Sequence, residues 1–151
     1  MLKDLPYKIE TNRFDQIVMS PAFSWHGGYQ FEIGNLLKKL LPNGRVITEC
    51  AIETTDGTKV PDVIWISKER HAPMKRAFSF HVAPEICVEV LSNSNSRGEM
   101  QDKTKLYFAA GAGEVWLCDE NGDMEFFLPE SPAPFTASRL CPDFPKHIDW
   151  D

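Results

Sequence analysis

From residue 7 to residue 19 short apolar and β-branched runs flank Thr11-Asn12-Arg13, a pattern that predicts a β-hairpin closed off by Ser20-Pro21. Over residues 25–41 the period lengthens. Ile33, Leu36, Leu37, Leu40 and Leu41 share one helical stripe, and Pro42-Asn43-Gly44 ends it. Two strands are expected next, at residues 45–54 and 58–67, joined by Asp56-Gly57, a dipeptide suited to the positive φ angles of a tight hairpin. After a polar, basic excursion through Lys68, Arg70, Lys75 and Arg76, residues 84–92 (PEICVEVLS) read as a strand apolar on both faces, hence central in a sheet. Ser94-Asn95-Ser96 offers capping side chains for a helix over residues 98–110, which Gly111 and Gly113 terminate. Residues 114–119 and 123–128 form a further hairpin pattern around Asn121-Gly122.

The order ββ–α–βββ–α–ββ implies an α/β (α+β) domain with a mixed sheet between helices. One domain over residues 1–151 is expected: a hairpin region at 1–24, the body, and an extended proline-rich segment at 129–151. That last segment still carries Phe135, Leu140, Phe144, Ile148 and Trp150, so it should pack on the body and end in an edge strand or a subunit contact.

Composition narrows the function. The chain has 151 residues, 42% of them hydrophobic and 25% charged, enough for a real core without staples. No apolar run approaches the ~20 residues of a membrane helix, and MLKDLPYKIE lacks the pattern of a secretory signal, so a cytoplasmic protein with no membrane partner is expected. The net charge of −6 is concentrated late: residues 111–151 hold two basic and nine acidic side chains. The rest is close to neutral, so phosphate binding stays open, although no broad basic face is visible. Cys50, Cys87, Cys118 and Cys141 form no CxxC pair and no zinc-type spacing, and read as structural thiols in a reducing compartment. The chain contains no GxxxxGK[ST] phosphate loop, GxGxxG turn or GxSxG elbow.

Three polar residues stand against their patterns. Asp62 shares a strand face with Val60, Ile64 and Ile66; Glu89 lies mid-strand with Cys87 and Leu91; Lys103 falls on the helical stripe Met100, Lys103, Tyr107, Ala110. Carboxylates are almost never buried without a partner. Two of them from neighbouring strands, with an inward lysine, suit a divalent cation and a phosphate. Mg²⁺ takes oxygen ligands, lowers the pKa of a bound water and neutralises charge developing on phosphate, and an ammonium supports the same charge. The bland readings are a turn residue for Asp62, a carboxylate satisfied by basic or amide groups for Glu89, a snorkelling side chain for Lys103, and a solvated loop for the four basic residues after position 67.

Val60-Pro61-Asp62-Val63 followed by PEICVEVLS resembles the PD-(D/E)XK nuclease superfamily, and within it the bacterial family described as putative restriction endonucleases. Ser92-Asn93-Ser94, then Lys103, Tyr107 and Gly111, look like that family's serine-rich loop and its lysine, tyrosine and glycine; residues 114–119 look like its next strand; residues 17–21 and His26 resemble its N-terminal segment. The resemblance runs from about Tyr7 to Trp150. It implies a restriction-endonuclease-like αβββαβ core preceded by a hairpin, and a nuclease cleaving phosphodiester bonds in DNA with Mg²⁺ or Mn²⁺. Asp62 and Glu89 take the metal-binding positions. Leu91 stands where the superfamily's lysine usually lies, and Lys103 takes that role from the following helix. Glu32, Gln30 and His26 are candidates for an additional position on the first helix. Glu99 and Val115 depart from the family's usual aspartate and tyrosine. The alternative is a catalytically silent nuclease-fold module that binds or assembles as a homodimer.

Overall fold

The computed structural model describes residues 7–21, 23–92 and 95–151. Two strands, β1 (Tyr7–Thr11) and β2 (Ile17–Pro21), pair antiparallel as a separate hairpin, followed by helix α1 (Ser24–Leu40). The hairpin is longer than its sequence pattern suggests. Its loop runs past Arg13 because the Asn12 side chain accepts from the N–H groups of Phe14 and Gln16, and the second strand includes Ser20-Pro21 rather than stopping there.

The strand expected at residues 45–54 is two: β3 (Gly44–Thr48) and β4 (Ile52–Thr54). Glu49 between them has φ 52°, a left-handed turn that no extended strand contains. Residues 58–67 likewise divide into β5 (Gly57–Lys59) and β6 (Val63–Ser67) across Pro61, which has no N–H for a ladder. The Asp56-Gly57 turn forms as expected, but its hairpin is only the short β4–β5 pair. A four-residue helix, α2 (Lys68–His71), lies in the basic excursion and was not legible in the hydrophobic pattern.

Strand β7 (Ile86–Val90), helix α3 (Arg97–Ala109), and strands β8 (Glu114–Cys118) and β9 (Met124–Phe127) complete the body. The main sheet has the order β3-β6-β7-β8-β9 and is antiparallel except for β7–β8, which are parallel and joined through α3. Both faces are covered, which explains why β7 is buried at every position. On one face, Tyr29, Ile33 and Leu37 of α1 pack against Val63, Val88 and Trp116. On the other, Tyr107 of α3 packs with Ile64, Ile66, Cys87 and Val115.

The C-terminal segment contributes Cys141, Phe144 and Ile148 to the α1 face. It forms no strand among the described residues, only single bridges such as Asp123 with His147 and Phe126 with Phe135. Its anchor is Glu114, 1% exposed, whose carboxylate accepts from Trp116 Nε1, Ser138 Oγ and the N–H groups of Arg139 and Leu140. All four cysteines are free and buried, and burial pushes the Cys50 and Cys118 thiols up to about 12. No helix among the described residues is long and apolar enough to cross a membrane.

Candidate active site

Strand parity brings the two odd carboxylates together. In β7, Ile86, Val88 and Val90 face α1, so Glu89 faces α3 along with Cys87. Asp62 immediately precedes β6, and β6 pairs with β7 in the register Val63 opposite Val88. The Val90 N–H donates to Asp62 Oδ2 at 2.7 Å, which fixes the aspartate beside the end of β7. Both carboxylates are 2% exposed.

Helix α3 supplies the next groups. Its start is set by Ser96, whose side chain accepts from Glu99 N–H while the Glu99 carboxylate accepts from Ser96 N–H. Glu99 is thereby a helix cap on the surface and takes no part in the site. Ser94, the other expected cap, and Asn93 lie outside the described residues. One and two turns on, Lys103 and Tyr107 face Glu89: Lys103 Nζ is 3.1 Å from Glu89 Oε2, and Tyr107 Oη donates to the same oxygen at 2.6 Å. Lys105 points away into solvent.

Two further members come from β1. Lys8 Nζ bridges the carboxylates, 2.6 Å from Glu89 Oε1 and 3.2 Å from Asp62 Oδ1. Glu10, two residues along and so on the same strand face, meets Lys103 at 2.9 Å and accepts from Val60 N–H at 2.7 Å. Their strand is held over the pocket by contacts between hairpins. Arg13 pairs with Asp56, Thr58 N–H donates to Thr11 Oγ1, and Lys59 Nζ donates to the Thr11 carbonyl. Gly57, at φ 86°, allows this approach, since a Cβ there would lie 2.6 Å from the Asn12 carbonyl oxygen.

Of the additional candidates on α1, His26 joins the site, with Nε2 3.3 Å from Asp62 Oδ2. Gln30, one turn later on the same face, instead donates from Nε2 to the Asp62 backbone carbonyl and positions it. Glu32 points elsewhere, two residues on and half-buried, with no side-chain hydrogen bond or ion pair to the site among the described residues. The basic excursion begins with Lys68, at the end of β6 opposite to Asp62. Arg70 there is structural, donating to the carbonyls of Ala83 and Gly111.

The environment splits the two acids. Burial raises the Asp62 carboxyl, but Lys8, His26 and the Val90 N–H outweigh it and hold the group well below the usual carboxylate range. For Glu89 burial wins: its carboxyl is raised in spite of Lys103 and Lys8, with Asp62 and Glu10 adding to the shift. Burial lowers Lys8, and Asp62, Glu89 and Glu10 reverse this and raise it. His26 is raised because its bond to Asp62 outweighs desolvation. Every buried side-chain polar atom among the described residues has a partner, so the cluster is closed.

The donor set suits a hard cation. A single cationic atom, Lys8 Nζ, reaches oxygens of both Asp62 and Glu89, and two carboxylates plus water and phosphate are an ordinary complement for Mg²⁺. Among the described residues no group of three or more His, Cys, Asp and Glu side chains is arranged as an all-protein metal cage. A separate open depression of about 440 Å³, lined by Trp25, Tyr29, Glu120, His147 and Trp150 among others, contains none of these residues.

A family model named Uma2 and described as "Putative restriction endonuclease" matches residues 5–140. Among solved structures, the chain is similar to a protein from Anabaena variabilis described as a putative nuclease belonging to DUF820. The TM-score is 0.71 at 20% identity, over 86% of this chain and 78% of that one, a likeness of fold. No curated protein matches.

Proposed function

This chain belongs to the Uma2 family of putative restriction endonucleases, and on that premise we propose that it is a metal-dependent nuclease hydrolysing phosphodiester bonds in DNA. The observation that carries the reading is the convergence of Asp62, Glu89 and Lys103 in one buried cluster where β6, β7 and α3 meet. Asp62 and Glu89 would hold Mg²⁺ or Mn²⁺, which supplies a water of lowered pKa and charge neutralisation at the phosphate. Asp62, whose carboxyl its neighbours hold below the usual range, would supply one of the two carboxylates. Lys103, held by Glu10 and Glu89, presents its ammonium to charge developing on the phosphate. Gln30 and the Val90 N–H keep Asp62 in place, and Tyr107 does the same for Glu89.

The test is Glu89→Gln assayed on duplex DNA with Mg²⁺, alongside circular dichroism. Loss of cleavage with retained fold is expected. Cleavage at the wild-type rate would overturn the assignment.

A further inference from the structure

We propose that Lys8 is a built-in competitor of the divalent cation, so that the ion enters between Asp62 and Glu89 only as the Lys8 ammonium leaves. The inference rests on the metal-dependent reading above and concerns how that site is loaded.

Position is the first argument. Lys8 Nζ lies within ion-pair distance of the two oxygens that would share the metal, Asp62 Oδ1 and Glu89 Oε1, and its side chain is 13% exposed. A cation bonded to those same oxygens would occupy the same gap. Two positive charges that close repel strongly even at the higher effective dielectric of a protein site.

Charge balance is the second. Three carboxylates (Glu10, Asp62, Glu89) meet two ammoniums (Lys8, Lys103) and His26 in the pocket. With Lys8 in place the carboxylates exceed the ammoniums by one formal charge. Without Lys8 they exceed them by two, the charge of one divalent ion.

The third argument is freedom of movement. Lys8 is a point charge on a flexible four-carbon stem. Its strand is docked through Glu10, Thr11 and Arg13 and belongs to a different sheet from β6 and β7. The ammonium can therefore turn out of the gap while the hairpin stays docked.

The experiment is titration with MnCl₂, without DNA, of the wild-type chain, Lys8→Gln and Glu89→Gln. Lys8→Gln is expected to bind Mn²⁺ about tenfold or more tighter than wild type, because a repelling charge has been removed. Equal or weaker binding by Lys8→Gln, with binding lost in Glu89→Gln, overturns the role of Lys8 and leaves the metal reading standing. No binding by either wild type or Lys8→Gln overturns both. Should Lys8→Gln not fold, wild-type crystals soaked in MnCl₂ decide. An anomalous peak between the two carboxylates with Lys8 Nζ turned away supports the proposal; the ion beside a still-bridging Nζ, or no ion between them, overturns it.

Discussion

Tyr107 donates its hydroxyl proton to Glu89 Oε2 at 2.6 Å, from a ring that is fully buried in the core beneath α3. The residue therefore joins the packing of one sheet face to the orientation of a pocket carboxylate. Tyr107→Phe keeps the ring and removes the donor. It should lower stability by about 1–3 kcal/mol, the usual cost of a buried polar group left short of a bond. Urea unfolding of the two proteins measures this, and an unchanged midpoint would mean that Glu89 has replaced the lost bond.

Lys103→Met should separate catalysis from ion binding. The methionine fills the same volume without the charge, so DNA cleavage should fall roughly 10²–10³-fold, a typical cost of losing one group that stabilises transition-state charge. Mn²⁺ binding should persist, because Asp62 and Glu89 remain. Parallel loss of Mn²⁺ binding would assign Lys103 to the integrity of the pocket instead.

Gly57→Ala tests the contact between hairpins. The added Cβ would have to occupy a position 2.6 Å from the Asn12 carbonyl oxygen, at a positive φ that alanine disfavours. A loss above ~1 kcal/mol is expected. It should be accompanied by faster amide exchange in β1, while exchange in β7 below the unfolding limit stays as in wild type.

The Arg13–Asp56 pair makes the same docking sensitive to acid. Arg13 hydrogen bonds hold the Asp56 carboxyl below its ordinary value, more than burial raises it. A depressed carboxylate contributes stability above its unfolded pKa of about 3.9 and loses it as pH falls through the folded value. Amide exchange in the β1–β2 hairpin should accordingly rise below pH 4 relative to the rest of the chain. Asp56→Asn should abolish that extra rise.

Glu114→Ala should release the C-terminal segment. Four donors, from Trp116, Ser138, Arg139 and Leu140, would lose their acceptor at once. We expect a loss of roughly 3 kcal/mol or more, since each buried orphan costs about 1–3 kcal/mol. Limited proteolysis should then cut after residue 128 first. Resistance equal to wild type would show that Phe144 and Ile148 hold the segment unaided.

The sequence disclosed the groups whose polarity conflicts with a regular local pattern. Glu89 stands in an apolar run, Asp62 keeps the parity of Ile64 and Ile66, and Lys103 keeps the spacing of Met100 and Tyr107. All three conflicts mark inward-facing side chains. Lys8 and Glu10 conflict with nothing local. An alternating strand normally has a solvated face, and theirs is covered because Asp62, Glu89 and Lys103, distant in sequence, lie against it. Tyr107 carried the reverse difficulty, since its ring reads as core and its hydroxyl finds Glu89 only in three dimensions. The bend at Glu49 was likewise invisible, as nothing in a run of β-forming residues announces one left-handed position.

Lys8 and Glu89 are 81 residues apart in the chain. Contacts of such separation carry the largest loop-closure cost and form late, after the local hairpins and helices are in place. During synthesis, β1 emerges early with its charges hydrated, and its partners on β7 and α3 arrive only when two-thirds of the chain has been made. The pocket is therefore a product of the finished fold, and fragments or folding intermediates of this chain should carry its charges without its chemistry.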